Sequence, residues 1–406
     1  MLRKYSSKLP GTRAFWFLML NIAISGMAST VLSPFLPIFL NKHLGISVGA
    51  VSFLYFVSGL VGTMTVFLVG WLVDRIGRKK VYIFGNAEVA VLPAALAYVK
   101  NFVQALPVMT VYGVMDSAAR TSQTTIIADQ VEEKDRNTAF GVSRIIVNCP
   151  WIIGPILGGI ILADRSNYGS LFLVSLVIGL ASLVIFIVLV PESRRAGLDR
   201  PGLPKIEVFR DRELLLLCVA SLFTMLFYTQ YYSLLPIYAK QVRGLLDWQV
   251  AWLFSISGAT VVAFQFPTSY WVDKVPKQTG YVLGVVVLAA GISAIALAPS
   301  FYWLLLAVAI MTIGENMFFP IAYSLVTQIG PESDRGMYVG ALNLFLSLGA
   351  NISPLLGGTI WQVTGEPNLP WLLSPVYAFI SVMLLILFRR NRPKSNSQPL
   401  IASKIR

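Results

Sequence analysis

Long, uninterrupted apolar runs constrain this chain more than any other feature. The purest is Leu171–Val190, twenty residues without a charge. As a helix rising about 1.5 Å per residue, such a run spans roughly 30 Å, the thickness of a bilayer's hydrocarbon core. Inside hydrocarbon every backbone N–H and C=O must be paired within the protein, which leaves only helices and closed barrels. The runs show no alternation of period two, so the expectation is helices. A length of 406 residues would otherwise suggest two or three soluble domains. With 56% of residues apolar, 13% charged and a mean hydropathy of +0.71, that possibility is excluded.

Twelve spans are predicted: 14–40, 48–72, 80–99, 103–129, 138–163, 169–191, 213–239, 248–272, 279–298, 301–329, 336–362 and 370–388. The net charge of +13 is gathered in short links between runs, so nucleic acid is not an expected partner; the bases meet lipid and set topology. Placing both termini in the cytoplasm puts Arg3, Lys4, Lys8, Arg13, the 75–80 cluster, Arg194 to Arg212, Lys274, Lys277 and the basic tail on that face. Only Lys42, Lys100, Arg165, Lys240 and Arg243 fall on the other. The asymmetry implies a multi-pass protein of the cell membrane with both termini inside. Ala14 to Leu40 is too long for a signal-peptide core and reads as a retained first helix. Cys149 and Cys218 lie inside apolar runs and His43 is the sole histidine, so neither a disulfide framework nor a metal site is expected, and no cofactor. With no Ser/His/Asp set, P-loop or soluble catalytic domain, the chain is not expected to be an enzyme or an ATP-driven pump.

The chain repeats itself at an offset of 199 residues. Leu36-Pro37-Ile38 aligns with Leu235-Pro236-Ile237, Asp74 with Asp273, Tyr82 with Tyr281, Asp135-Arg136 with Asp334-Arg335, and Pro155–Gly159 with Pro354–Gly358. Six spans per copy give both copies the same orientation. The expected organisation is an N-terminal six-helix bundle (1–194), a cytoplasmic linker (195–212) and a C-terminal six-helix bundle with a short basic tail (213–406). Parallel halves of this kind are a transporter architecture with the binding site between them near mid-membrane.

Two motifs carry a resemblance. Gly70-Trp-Leu-Val-Asp74-Arg75-Ile-Gly77-Arg78-Lys79 resembles motif A of the major facilitator superfamily, the turn between helices 2 and 3. Pro150-Trp-Ile-Ile-Gly154-Pro155-Ile-Leu-Gly158-Gly159 resembles the helix 5 motif of its antiporters, with Pro150 for the first glycine, and is closest to the drug:proton type. The arginine that this type places in helix 4 is Met109 here. The resemblance implies that Asp74 docks near the start of helix 11, around Arg335, and that Asp273 does the same towards Arg136, closing the cytoplasmic side. In helix 5 the glycines and Pro155 permit close packing or a bend.

Ionisable groups at mid-membrane are costly and generally face a bundle interior or a wet cavity. Here they are Glu88, Asp116, Arg120, Arg144 and Glu315. Asp116 and Glu315 are repeat mates. Asp116 and Arg120 share a helix face at i,i+4, and so do Arg144 and Asn148. This set is either a coupling network or a structural one. Glu315 has no base within its own half's spans and is the favoured proton carrier, with Asp116 second; no span contains a histidine, which leaves carboxyls to exchange protons near neutral pH. Asn21, Tyr228, Gln230, Tyr232, Gln265 and Asn343, together with Arg120, Arg144 and Asn148, are the expected cavity wall.

The sequence therefore points to a secondary transporter, taken as a monomer, that exports small amphipathic organic compounds against protons by alternating access. The alternative is a proton-coupled transporter of a defined anionic solute, such as a sugar phosphate, an organic acid or a lysolipid, held by Arg120 and Arg144.

Overall fold

A computed structural model of the chain describes residues 12–132, 135–163, 167–192, 206–272, 274–329 and 334–391. Among them there is no strand. The helices are α1 (Arg13–His43, ending in one π-helical turn), α2 (Val48–Ile76), α3 (two pieces, Arg78–Asn86 and Glu88–Leu96), α4 (Phe102–Asp129), α5 (Arg136–Ala163) and α6 (Tyr168–Leu189). The second half follows with α7 (Arg212–Gln241, interrupted at Thr229), α8 (Asp247–Val272), α9 (Lys277–Leu297), α10 (Phe301–Ile329), α11 (Arg335–Thr364) and α12 (Leu369–Leu372 and Ser374–Asn391). Ten are long and apolar enough to cross a membrane. The other two are α3, which is broken at Ala87, and α4, which carries Asp116 and Arg120.

Local chemistry sets several helix starts. Ser47, Asn101, Asn167 and Asp211 precede α2, α4, α6 and α7, and each side chain accepts a bond from a first-turn N–H that has no intrahelical partner.

Within the first half α1 packs on α5 and α6, and α4 packs on α2 and α3; within the second, α7 packs on α11 and α12, and α10 on α8 and α9. The halves meet through α2 with α11 and α5 with α8. These two seams are copies of one another, because the 199-residue repeat carries α2 onto α8 and α5 onto α11.

The seams are not closed along their whole length. The end of the bundle that carries the α2–α3 turn is the basic end, and the opposite surface is the far end. The contacts that α2 makes across the seam come from Gly49, Ser52, Gly59 and Thr63, all in its far half. Gln241 and Asn41 also bond across at the far end. On α5 the crossing residues are Trp151 and Gly159, where a Cβ on Gly159 would meet Ala251 and Trp248 of α8. Gly70 and Gly141, nearer the basic end, have nothing beside them, and neither do Gly336 and Gly340. The halves therefore part towards the basic end.

The helix 5 motif has a division of labour in this packing. Gly154 and Gly158 face Thr30, Val31 and Phe35 of α1 in their own half, while Gly159 faces the other half. Pro150 contacts Gly26, and its carbonyl accepts from Thr30 Oγ1 at 3.0 Å. In the copy, Gly357 faces Gln230 and Leu234 of α7, and Gly358 faces Ser52 of α2. Small residues here set how near the helices come.

The basic turn is held within its own half. Gly77 has φ +102°, a backbone region that a side chain would strain. The Glu192 carboxylate caps the start of α3, accepting from the backbone N–H of Arg78 at 3.1 Å and of Lys79 at 3.2 Å. Arg78 makes a buried ion pair with Asp129 at the end of α4, 2.7 Å long, and Lys79 Nζ donates to the Ile187 carbonyl. Arg75 lies over the Trp71 ring. Asp74 is exposed and makes no ion pair among the described residues. Asp273 lies outside the described residues.

Candidate functional site

The interruption of α7 at Thr229 positions the centre of the molecule. Thr229 Oγ1 donates to the Ala350 carbonyl of α11, tying the break to its neighbour. Tyr228 ends the first piece and Tyr232 lies in the first turn of the second, which begins at Gln230, with the two hydroxyls 3.1 Å apart. The Tyr228 hydroxyl also lies within electrostatic reach of the Glu315 carboxyl of α10, so two tyrosines and an acid form one chain of polar groups.

This chain faces the first half. A cavity of about 30 Å³, room for one water, is lined by Glu315, Tyr231 and Tyr232, by Asn148 and Trp151 of α5, and by Phe254 and Ser257 of α8. The Trp151 ring lies 5.9 Å from Tyr232 and 6.2 Å from Phe254. Asn148 bonds back to the Arg144 carbonyl, and the Arg144 guanidinium lies within electrostatic reach of Glu315 and Tyr323. Glu315 has no base in its own half's spans, and the fold supplies one from the other half.

Asp116 is placed otherwise. Arg120 Nε reaches its two carboxylate oxygens at 2.7 and 2.8 Å. The Arg120 side chain is 77% exposed and that of Asp116 28%, so the pair stands in the open part of the cleft. It is a local pair along one helix, and no bridge from it to Arg144 occurs among the described residues.

Four other expected wall residues have distinct settings. Asn21 is fully buried between α1, α3 and α6, where it donates to the Ser182 carbonyl and hydroxyl and accepts from Tyr82. Gln230 is buried too, its backbone N–H on Ser353 and its amide on the Pro370 carbonyl. Both are buried in helix packing in this structure. Asn343 is exposed and accepts from Tyr323 at 2.6 Å. Gln265 is half-buried on α8, one turn beyond the cavity-lining Val261. Trp151 was in view within the helix 5 motif but carried no expected role; its repeat mate, Ala350, gives no hint of a ring.

A family model described as Major Facilitator Superfamily matches residues 18–260 and 247–404. The uncharacterised MFS-type transporter YqjV of Bacillus subtilis is 24% identical over 90% of this chain and 88% of its own length. The multidrug resistance protein MdtH of Aeromonas hydrophila is 22% identical over 91% and 94%. Among solved structures, the nucleoside transporter NupG superposes with a TM-score of 0.79 at 13% identity, over 93% of this chain and 99% of that one. Twelve helices among the described residues in two copied halves, a cleft between them and a family match along nearly the whole chain have one meaning: this protein belongs to the Major Facilitator Superfamily and is a membrane transporter, not an enzyme.

Proposed function

We propose that this chain is a proton-coupled exporter of small amphipathic organic compounds, working by alternating access between its halves. One observation carries the reading: Glu315, a carboxyl at mid-helix, lines a cavity with Trp151, Tyr231, Tyr232 and Phe254 where the halves meet. Apolar rings with a few directed polar groups suit molecules with an apolar body and a polar end. The arrangement captures protons and substrate at one place. A neutral Glu315 needs no counter-charge, whereas an ionised one attracts a cationic substrate or Arg144 across the seam. Loading one ligand therefore disfavours the other, which is what exchange requires.

The basic end is taken as cytoplasmic because the Arg75–Lys80 cluster lies there. In this state the cleft is open to the cytoplasm, and substrate enters from that side. A defined anionic solute is the weaker alternative, since Arg120 already spends its charge on Asp116.

The test is Glu315→Gln in proteoliposomes carrying a proton gradient. The variant is expected to insert normally and to lose substrate-driven proton flux at least tenfold. Flux equal to the unaltered protein's would sink the reading. A parallel assay with a cationic dye and an anionic solute separates the two substrate classes.

A further inference from the structure

A second acid lies away from the central site. Glu88 begins the second piece of α3, roughly 15 Å by helical rise from the start of that helix. It is 8% exposed, and its Oε2 has no hydrogen-bond partner. The break at Ala87 explains the space beside it. The first piece of α3 lies on α4, with Gly85 against Ala118 and Ala119, whereas the second leans on α6, where Gly179 meets the Val89 carbonyl. The two helices therefore diverge beyond Ala87 and leave a crevice of about 260 Å³. Val91, Leu92, Pro107, Val108, Val111 and Met115 give it apolar walls, and Tyr112 and Glu88 are its polar features. Val91 and Val111, on its rim, are about half exposed on the outer surface of the bundle, where lipid lies.

We infer that the α3–α4 crevice is a lateral binding site for a single-chain lipophilic amine drawn from the bilayer, its nitrogen against the Glu88 carboxyl and its chain along Val91 and Val111. The ligand class follows from the charges. The nearby base, Arg120, is held by Asp116, so the crevice offers an acid and no cation of its own to satisfy it. An unpaired buried carboxyl costs free energy that an ammonium or amine nitrogen removes. The volume is below that of an ordinary drug pocket, which suits a head group with its tail left in lipid rather than a whole engulfed molecule. Tyr112, which lines the crevice, also lies within electrostatic reach of Asp116, so occupancy of the crevice is within range of the central cleft.

This inference is independent of proton coupling at Glu315. The protein in lipid nanodiscs is labelled with a photoreactive diazirine analogue of dodecylamine, and cross-linked peptides are mapped by mass spectrometry. Labels are expected on the peptides of α3 and α4 around Val91 and Val111. Excess dodecylamine should compete, and dodecanol or dodecanoate should not. Glu88→Gln should reduce labelling there at least tenfold. Val111→Trp, which fills the rim and leaves the acid in place, should do the same, so a folding defect in one variant does not decide the matter. Glu315→Gln should leave this labelling unchanged. Equal competition by dodecanol, labelling confined to Trp151 and α7, or full labelling in both crevice variants would each overturn the site.

Discussion

The two halves are copies in chain path but not in chemistry, and the contrast is sharpest at Asp116 and Glu315. Both acids sit at the same depth of repeat-related helices. Four residues on, the first half has Arg120 and the second has Phe319. Asp116 is thus neutralised by its own helix in the open cleft, while Glu315 has Tyr228 and an apolar ring beside it. The same exchange recurs one helix later, where Arg144 in the first half matches Asn343 in the second. At the seam, positive charge lies in one half and an acid without an ion pair on its own helix in the other, so the seam becomes the electrically active surface. An exactly symmetric molecule would lack that polarity. Divergence of the copies, rather than duplication itself, makes a proton site available.

The comparison can be broken by giving Glu315 what Asp116 has. Phe319→Arg places a guanidinium at i+4, the geometry of the Asp116–Arg120 pair. A carboxylate held bidentately in this way keeps its charge and stops exchanging protons near neutral pH. The expected result is loss of proton-driven transport by at least tenfold, comparable with Glu315→Gln, read as proton flux in proteoliposomes. Removing the first-half pair by Asp116→Asn with Arg120→Gln should cost much less, because an exposed i,i+4 pair contributes only about 0.3–0.5 kcal/mol. If the double variant is as inactive as Phe319→Arg, the halves share the coupling and the contrast fails.

The basic turns offer a second contrast, now in stability. Arg78 and Asp129 form a buried pair in the first half; their repeat mates are Lys277 and Gln328, which cannot form the same pair of charges. Truncating one partner of a buried pair strands the other and costs roughly 3–5 kcal/mol. Arg78→Ala should therefore lower the melting temperature of the detergent-solubilised protein far more than Lys277→Ala does. Equal shifts would mean that the turn's contribution lies in Gly77 and the Glu192 cap instead.

Sequence and structure agree where the physics is one-dimensional. Span positions follow from the length and apolarity of a run, and the halves follow from an offset read along the chain. Gly77 was legible because a turn of that kind needs a glycine. The partners were not. Glu192 is more than a hundred residues from the amides it caps, and Asp129 meets Arg78 only because α3 and α4 lie side by side. Nor could the side of a helix be read. In these spans apolar residues surround the whole circumference, so the periodicity that marks a soluble helix's buried face is weak. That is why Asn21 and Gln230, polar residues in apolar runs, read as cavity linings while this structure buries both between helices. Trp151 was hidden for the converse reason: a ring in a span looks the same whether it faces lipid, core or cleft.

The smallest contrast concerns the buried tyrosines Tyr82 and Tyr281. They are repeat mates and both nearly inaccessible; Tyr281 meets Ser381 directly, whereas Tyr82 reaches the mate of that serine, Ser182, through Asn21. Tyr82 donates to Asn21 at 2.7 Å, and Asn21 in turn holds two groups of Ser182. Tyr281 meets Ser221 at 3.3 Å and Ser381 at 3.4 Å, longer contacts with hydroxyls that have other partners. Removing a donor from a filled buried network strands an acceptor and costs about 1–3 kcal/mol, whereas hydroxyls can turn to other partners and lose less. Tyr82→Phe should thus destabilise by about 1–2 kcal/mol and Tyr281→Phe by about half as much, compared as unfolding midpoints in the same detergent. The reverse order would mean that the second half's hydroxyl cluster acts as a unit, and that the copies diverged in chemistry while keeping the same stabilisation at this position.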